Sequence, residues 1–340
     1  MNYNEVIENA RENIGPNCKV CPVCNGLGCG NIMPGPGSKA PGNGAHDNWL
    51  GWQKYRLEMD TITHSMNVDT SVDFLGSHFS LPLIAAPVGD LSTQFNPNSD
   101  IREYNDDVLK ACASEGIIGT YGDGFIPSTL TAALESTAKY GCASIPVLNP
   151  LSNDEIKNKI DEIRSFNCLG LSIVVDSAGL PHLRKSNPNA GVKSIDSLIE
   201  LKEYSGLPFV IKGVMNAKTA EKAVKAGADA IIVSNHGGRV LPCSPSTAEV
   251  LPEIVDAVGK DTKIIVDGGI RSGIDIFKAI ALGADMVMIC RPFLISWFGG
   301  KSEGVSLLIQ KLRSELSDAM YMCGAENISE IQRTMIREMH

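Results

Sequence analysis

From about residue 80 the chain alternates short, unbroken apolar runs with longer stretches whose apolar residues recur at helical spacing. The runs are Leu81–Pro87, Gly116–Thr120, Ala143–Leu148, Leu169–Val175, Pro208–Lys212, Ala230–Ser234, Lys263–Asp267 and Asp285–Cys290, eight in all. Strands buried on both faces, as in a parallel sheet, read as continuous hydrophobic runs rather than alternating ones. Helices are predicted between them at Asn216–Ala226, Ser246–Val258 and Gly273–Leu282. Two of these helices run into Gly-Ala just before the next strand, where glycine ends a helix without a steric penalty. Successive runs start about 22 to 39 residues apart, the size of one strand–helix unit.

Eight such units predict an α/β fold, a closed (β/α)8 barrel of the TIM type. An open doubly wound sheet is disfavoured because no GxGxxG follows the first run. The distinctive polar residues also follow the runs, most densely the fifth to the eighth, and the C-terminal strand ends carry the chemistry in such barrels. Residues 81–340 are expected to form the barrel with its C-terminal helices, and 1–80 an N-terminal extension. Within 301–340, Leu307, Leu308, Leu312 and Leu316 fall at helical spacing, so this whole tail is read as helical and packed on the barrel. The Gly- and Pro-rich stretch Asn25–Gly44 is read as a loop lying ahead of the first strand as a flexible lid. Trp49, Trp52 and Tyr55 are read as aromatics packing on the barrel.

Composition narrows the function. The 340 residues are 43% hydrophobic and 20% charged, which excludes whole-chain disorder. Lys and Arg total 30 against 39 Asp and Glu, a net charge of −9, the wrong sign for a nucleic-acid-binding protein. No apolar run approaches the roughly 18 residues that suggest a membrane span. The opening MNYNEVIENARENIG lacks the basic and apolar regions of a signal peptide. The expectation is a cytoplasmic protein with neither nucleic-acid nor membrane partners. Of ten cysteines, Cys112, Cys142, Cys168, Cys243, Cys290 and Cys323 are dispersed and read as small buried hydrophobes. Cys18, Cys21, Cys24 and Cys29 crowd together instead.

Four stretches at consecutive strand ends carry candidate chemistry: Lys212 in FVIKGV, Ser234 to Arg239 (SNHGGR), Asp267 to Gly273 (DGGIRSG) and Ile289 to Pro292 (ICRP). Gly268 and Gly269 let backbone N–H groups approach an oxyanion, and the following helix turns its positive end toward it. Arg271 and Arg291 can clamp a phosphate with forked donors. Lys212, His236 and Arg239 are predicted to face the barrel mouth: a cation, a proton acceptor and a guanidinium. That set suits a substrate with a carboxylate and an exchangeable proton.

These motifs closely resemble those of the FMN-dependent α-hydroxy acid dehydrogenase/oxidase family, which includes glycolate oxidase and lactate oxidase. The resemblance runs from about Leu81 to Pro292 and is densest from Pro208 onward. It implies an FMN-dependent oxidoreductase that turns a small 2-hydroxy acid into the 2-oxo acid and passes electrons to an acceptor it does not identify. By it, His236 is the base, Asp176 orients and supports the protonated histidine, Arg239 grips the substrate carboxylate, and Lys212 stabilises the reduced flavin. Gly268, Gly269, Arg271 and Arg291 would hold the FMN phosphate and Asp267 the ribityl chain. Ala86, Pro87, Val88, Thr120, Ser234 and Cys290 would surround the rest of the flavin. A homotetramer or octamer is implied as well.

The chain departs from the family pattern in places. The family continues HGGR with Gln-Leu-Asp, where this chain has Val240-Leu241-Pro242. A family tyrosine after the third strand is replaced in Val147-Leu148-Asn149-Pro150, and the N-terminal tyrosine gives way to the Cys/Gly segment. The second substrate arginine has no match other than Arg184, and that only if the loop realigns. Two alternatives stay open: an FMN-dependent isomerase resembling type 2 isopentenyl diphosphate isomerase, and a non-catalytic flavin or metal-binding protein. The Cys18-x2-Cys21-x2-Cys24-x4-Cys29 spacing is close to that of iron–sulfur ligands and also compatible with a small zinc knuckle. Unmetallated thiols in a lid are the third reading.

Overall fold

The continuous apolar runs form strands where they are expected. A computed structural model describes residues 1–39, 42–64, 66–124, 126 and 128–339. Eight strands are hydrogen-bonded in parallel: β1 (Leu83–Ala85), β2 (Ile118–Gly122), β3 (Ser144–Leu148), β4 (Leu171–Val174), β5 (Phe209–Val214), β6 (Ala230–Val233), β7 (Lys263–Asp267) and β8 (Met286–Ile289). They close in chain order, with β8 returning to β1 through the Val287–Leu83, Met288–Ile84 and Ile289–Ala85 pairs. Closure removes every sheet edge, which suits strands that are apolar on both faces.

Alternate residues point into and out of the barrel, and each set finds its own core. Ile84, Ile118, Ile145, Val210, Ile232, Ile265 and Met286 fill the interior. Phe74 and Phe79 join that interior cluster from an antiparallel hairpin, Val72–Phe74 with Ser77–Phe79, and so plug one end of the barrel. The outward set, including Leu83, Ile173, Ile211, Ile231 and Ile264, packs under the surrounding helices. Those helices begin on capping side chains: Ser152, Ser246 and Asn216 each accept a backbone N–H in the first turn. Gly227 and Gly283, the glycines before β6 and β8, both take positive φ.

The flanks are built into the barrel. Helix α1 (Tyr3–Asn13) lies along the long helix α2 (Arg291–Cys323), with Val6 buried and Asn9 Nδ2 donating to the Gly299 carbonyl at 3.2 Å. Trp52 and Tyr55 are buried as expected, while Trp49 is half-buried and stacks on His46. The tail corrects the reading of 301–340 as wholly helical. Helix α2 breaks at Gly300 and Lys301, resumes, and ends at Cys323, where Gly324 adopts a left-handed conformation. Beyond it come two 3-10 turns and a strand, Ile336–Glu338, paired antiparallel with Tyr55–Leu57. Only Ile336 of its three residues is buried, and a strand this short does not stand out beside a long helix. Cys243 is exposed and Cys290 half-buried, rather than buried hydrophobes.

Gly299 sits where the two helices cross: a Cβ there would meet the Val6 carbonyl oxygen at 1.9 Å. Gly299→Ala should force α1 away from α2 and cost about 1–3 kcal/mol. The expected readout is a lower urea midpoint at unchanged slope, and an unchanged midpoint would contradict this packing.

Candidate active site

Consecutive strands in a closed barrel end side by side, so chemistry that is dispersed in sequence converges at the mouth. A cavity of about 1320 Å3, counted out to its open mouth, lies there. Among its lining residues are Ala86, Pro87, Val88, Lys212, His236, Arg239, Asp267, Gly268, Gly269, Arg271, Cys290 and Arg291, twelve of the positions singled out from the sequence. The other three stand just behind. Thr120 Oγ1 donates to the Ala85 carbonyl at 2.5 Å, Ser234 bridges two charged residues, and Asp176 backs His236.

At the floor of the cavity Lys212, only 4% exposed, lies 3.1 Å from Asp267 Oδ2 and donates to Ser234 Oγ at 2.7 Å. The same hydroxyl donates to Asp267 Oδ2 at 2.9 Å and accepts the His236 backbone N–H at 3.1 Å. Burial works against the ammonium, but Asp267 and Asp176 outweigh it and hold the Lys212 pKa above the ordinary lysine value. A buried amine therefore stays charged at the mouth.

His236 follows β6 with φ 57°, a left-handed conformation that is sparsely populated for residues other than glycine. Its Nδ1 faces Asp176 Oδ1 at 3.2 Å, and the Asp176 side chain is 10% exposed. Burial tends to raise the Asp176 pKa, but His236 and then Lys212 more than offset it, so the carboxyl lies below its usual value. Asp176 can come this close only because position 213 is glycine, where a Cβ would meet the Asp176 Cβ at 2.5 Å.

The loop after β7 forms a concave backbone turn. Gly268 and Gly269 have φ of 107° and 83°, and a Cβ at Gly269 would meet the Asn48 carbonyl oxygen at 2.2 Å. Asn48 was not singled out from the sequence, and yet it organises this region. Its amide exchanges hydrogen bonds with the Asn235 amide at 2.7 and 2.9 Å, and its Oδ1 accepts from Thr247 N. Trp52 Nε1 donates to the Gly268 carbonyl at 2.8 Å. The N-terminal extension thus props two of the chemistry-bearing loops. Arg271 donates through Nε to the Cys24 carbonyl at 2.8 Å and through Nη1 to the Ile270 carbonyl, while its Nη2 is buried with no partner among the described residues. Arg291 Nε donates to the Pro36 carbonyl at 3.0 Å.

Arg239 is held by the Gly-rich loop. Its guanidinium donates to the carbonyls of Gly35 and Gly37 and, at 3.0 Å, to Gln94 Oε1. Burial and the like charge of Arg291 pull its pKa down to about 10. Val147, Leu180, Leu183 and Phe95 give the cavity an apolar side. Asn149, in the stretch that lacks the family tyrosine, is tied to Asp123 at 2.7 Å and to the Ser177 hydroxyl at 2.9 Å. Gln94 and Phe95 sit in a polar loop with no motif of its own, and no sequence signal marked them. The structure does not bring Arg184 to the cavity lining.

The four clustered cysteines lie together around a second, smaller cavity, about 410 Å3 counted out to open solvent, which Pro36, Phe95 and Arg291 share with the first. Burial pushes the Cys18 thiol up to about 11 and raises Cys29 against the opposing pull of Arg291. Among the described residues no three His, Cys, Asp or Glu side chains converge as a single metal ion requires. That finding supports neither the zinc nor the iron–sulfur expectation.

Known proteins resemble this chain. A family model described as FMN-dependent dehydrogenase matches residues 37–194 and 183–338. An L-lactate oxidase of Lactobacillus jensenii is 45% identical over 141 residues, which are 42% of this chain and 35% of that protein. The 2-hydroxyacid oxidase 1 of Mus musculus is 40% identical over 145 residues, 43% of this chain and 39% of its own. The aligned segment thus spans little more than a third of either relative. A solved structure of mandelate oxidase superposes with a TM-score of 0.81 at 25% identity, covering 99% of this chain and 97% of its own.

A carboxyl with a lowered pKa contributes stability that is present above its unfolded value, about 3.9, and lost as the pH falls through its folded value. The unsubstituted protein should therefore lose stability relative to Asp176→Asn as the pH is taken from 5 to about 3. Urea midpoints of the two proteins across that interval check this, and a constant difference would contradict it.

Proposed function

The chain belongs to the FMN-dependent dehydrogenase family, and from that premise we propose that it oxidises a small 2-hydroxy acid to the 2-oxo acid with FMN bound over the barrel mouth. The observation that carries this reading is the 3.2 Å contact of His236 with Asp176 at a cavity that also presents Arg239 and the buried Lys212–Asp267 pair.

The residues present fit the cofactor. The Gly268–Gly269 turn and the buried, unpartnered Arg271 Nη2 suit the phosphate, and Arg291 adds a second guanidinium. Asp267, with Ser234, serves the ribityl chain. The ammonium of Lys212 serves the negative charge of the reduced ring, and Ala86, Pro87, Val88, Thr120 and Cys290 border the flavin. When bound, FMN supplies the two-electron redox chemistry, which no side chain here can.

The protein's own residues handle the protons and the substrate. With Nδ1–H donated to Asp176, Nε2 of His236 is left as the acceptor for a substrate proton. The carboxylate then stabilises the imidazolium that forms. Arg239 takes the substrate carboxylate, and the Gly35 and Gly37 carbonyls that now occupy its guanidinium must yield. The apolar side made by Phe95, Val147, Leu180 and Leu183 favours a short hydrocarbon substituent on the hydroxy acid.

Two measurements test the reading. On anaerobic mixing with short 2-hydroxy acids, the oxidised flavin band should bleach with at least one of them. His236→Ala should slow bleaching on the order of 10²–10⁴-fold while retaining FMN; bleaching at the normal rate would remove His236 as the base. Arg239→Lys loses the forked contact and should raise the half-saturating hydroxy acid concentration roughly 10- to 100-fold, as expected for a charged hydrogen bond worth about 1.5–3 kcal/mol. An unchanged value would detach Arg239 from the carboxylate.

A further inference from the structure

The second cavity is left without a role by this chemistry. Its wall carries Cys18, Cys21, Cys24 and Cys29, all reduced, together with Lys19, Gly26, Gly28 and Arg291. Four thiols lining one cavity are a ligand set for a polynuclear cluster. The metal atoms then fill the centre and each thiolate binds a different corner.

Three further features fit. The x2, x2 spacing of Cys18, Cys21 and Cys24 is that of the first three cysteines of the bacterial C-x2-C-x2-C-x3-C run, which bind one four-iron cluster. The loop carries a conformational cost. Val20, between the first two cysteines, has φ 44°, an outlier for a β-branched residue, and its side chain is 2% exposed in the core. Four thiolates on a cluster leave net negative charge, and Lys19 and Arg291 border the cavity, with Arg271 hydrogen-bonded to the Cys24 carbonyl. On the outer side Val23 and Leu27 are 52% and 58% exposed, so the loop is also at the surface.

We propose that Cys18, Cys21, Cys24 and Cys29 ligate a four-iron, four-sulfur cluster in this cavity, and that it draws electrons singly from the flavin site to a one-electron acceptor at the surface. The two cavities share Pro36, Phe95 and Arg291 as common wall, so one layer of residues separates them. The electron step rests on the function proposed above; the cluster site does not. Oxidation of one hydroxy acid breaks its O–H and C–H bonds and forms the carbonyl, releasing two electrons and two protons. The protons go to solvent. The electrons pass through the cluster one at a time, each reducing it by one unit, to two equivalents of a one-electron redox carrier.

The test uses the full chain purified anaerobically. Iron and acid-labile sulfide should each approach about four per chain, and dithionite should produce a cluster EPR signal. Cys18→Ser, Cys21→Ser, Cys24→Ser and Cys29→Ser should each lose iron while keeping flavin, and Cys243→Ser should keep both. Less than one iron per chain after reconstitution with iron and sulfide, zinc in its place, or iron undiminished in the four variants would overturn the site; about two irons would overturn the four-iron assignment. Anaerobic reduction by a 2-hydroxy acid should also develop the cluster signal. Flavin bleaching without that signal would overturn the electron route and leave the site standing. No bleaching with any hydroxy acid, alongside four irons, would overturn the proposed oxidation instead.

Discussion

A lysine ammonium, shut away from water at the mouth of a barrel, needs negative partners within a few ångströms. Unpaired, such a charge costs several kcal/mol to bury. Lys212 finds Asp267 at 3.1 Å, with Ser234 bridging the two and Asp176 lending further charge. These residues come from the ends of four different strands, so the pairing exists only if β4 to β7 end at the same level. Parallel register delivers that: Val174 pairs with Lys212, Lys212 with Ile232, and Val266 with Val233. The same alignment sets His236 against Asp176. Barrel closure, the buried charges and the candidate base are thus one geometric requirement, and a slip of one strand would disable all three.

The N-terminal extension has a part in this. The reciprocal amide pair of Asn48 and Asn235 and the indole bond from Trp52 to the Gly268 carbonyl fix the loops after β6 and β7 from outside the barrel. Lys278, on the helix after β7, donates in turn to the Trp52 carbonyl at 3.0 Å. The Gly-rich turn at Gly35 to Gly37 continues from this scaffold over the cavity and engages Arg239 and, through Pro36, Arg291. One segment therefore touches the candidate substrate arginine, the candidate phosphate arginine and the cysteine-lined cavity.

The barrel was legible because burial on both faces leaves a plain mark: uninterrupted runs such as KIIVD and AIIV became β7 and β6 at or within a residue of the expected ends. The convergence of Lys212, His236, Asp267 and Arg291 could be read because strand ends in a closed barrel are neighbours by construction. Other features had no local signal. Asn48 is one amide in a short helix, and its importance lies wholly in a partner far along the chain. The strand Ile336–Glu338 depends on its distant partner Tyr55–Leu57, so a periodicity argument extended the preceding helix through it. The grip of Gly35 and Gly37 on Arg239 is backbone chemistry, to which side-chain identity gives no clue. The four cysteines were visible as a group, but their lining of a cavity that shares a wall with the first was not.

The central claim is that a phosphorylated flavin is held at the mouth by Arg271, Arg291 and the Gly268–Gly269 turn. Its most direct test is to compare the affinity of flavin-free protein for FMN and for riboflavin by quenching of flavin fluorescence. The account predicts that FMN binds and that riboflavin, lacking the phosphate, binds at least tenfold more weakly. Equal affinity for the two, or none for FMN, would contradict it.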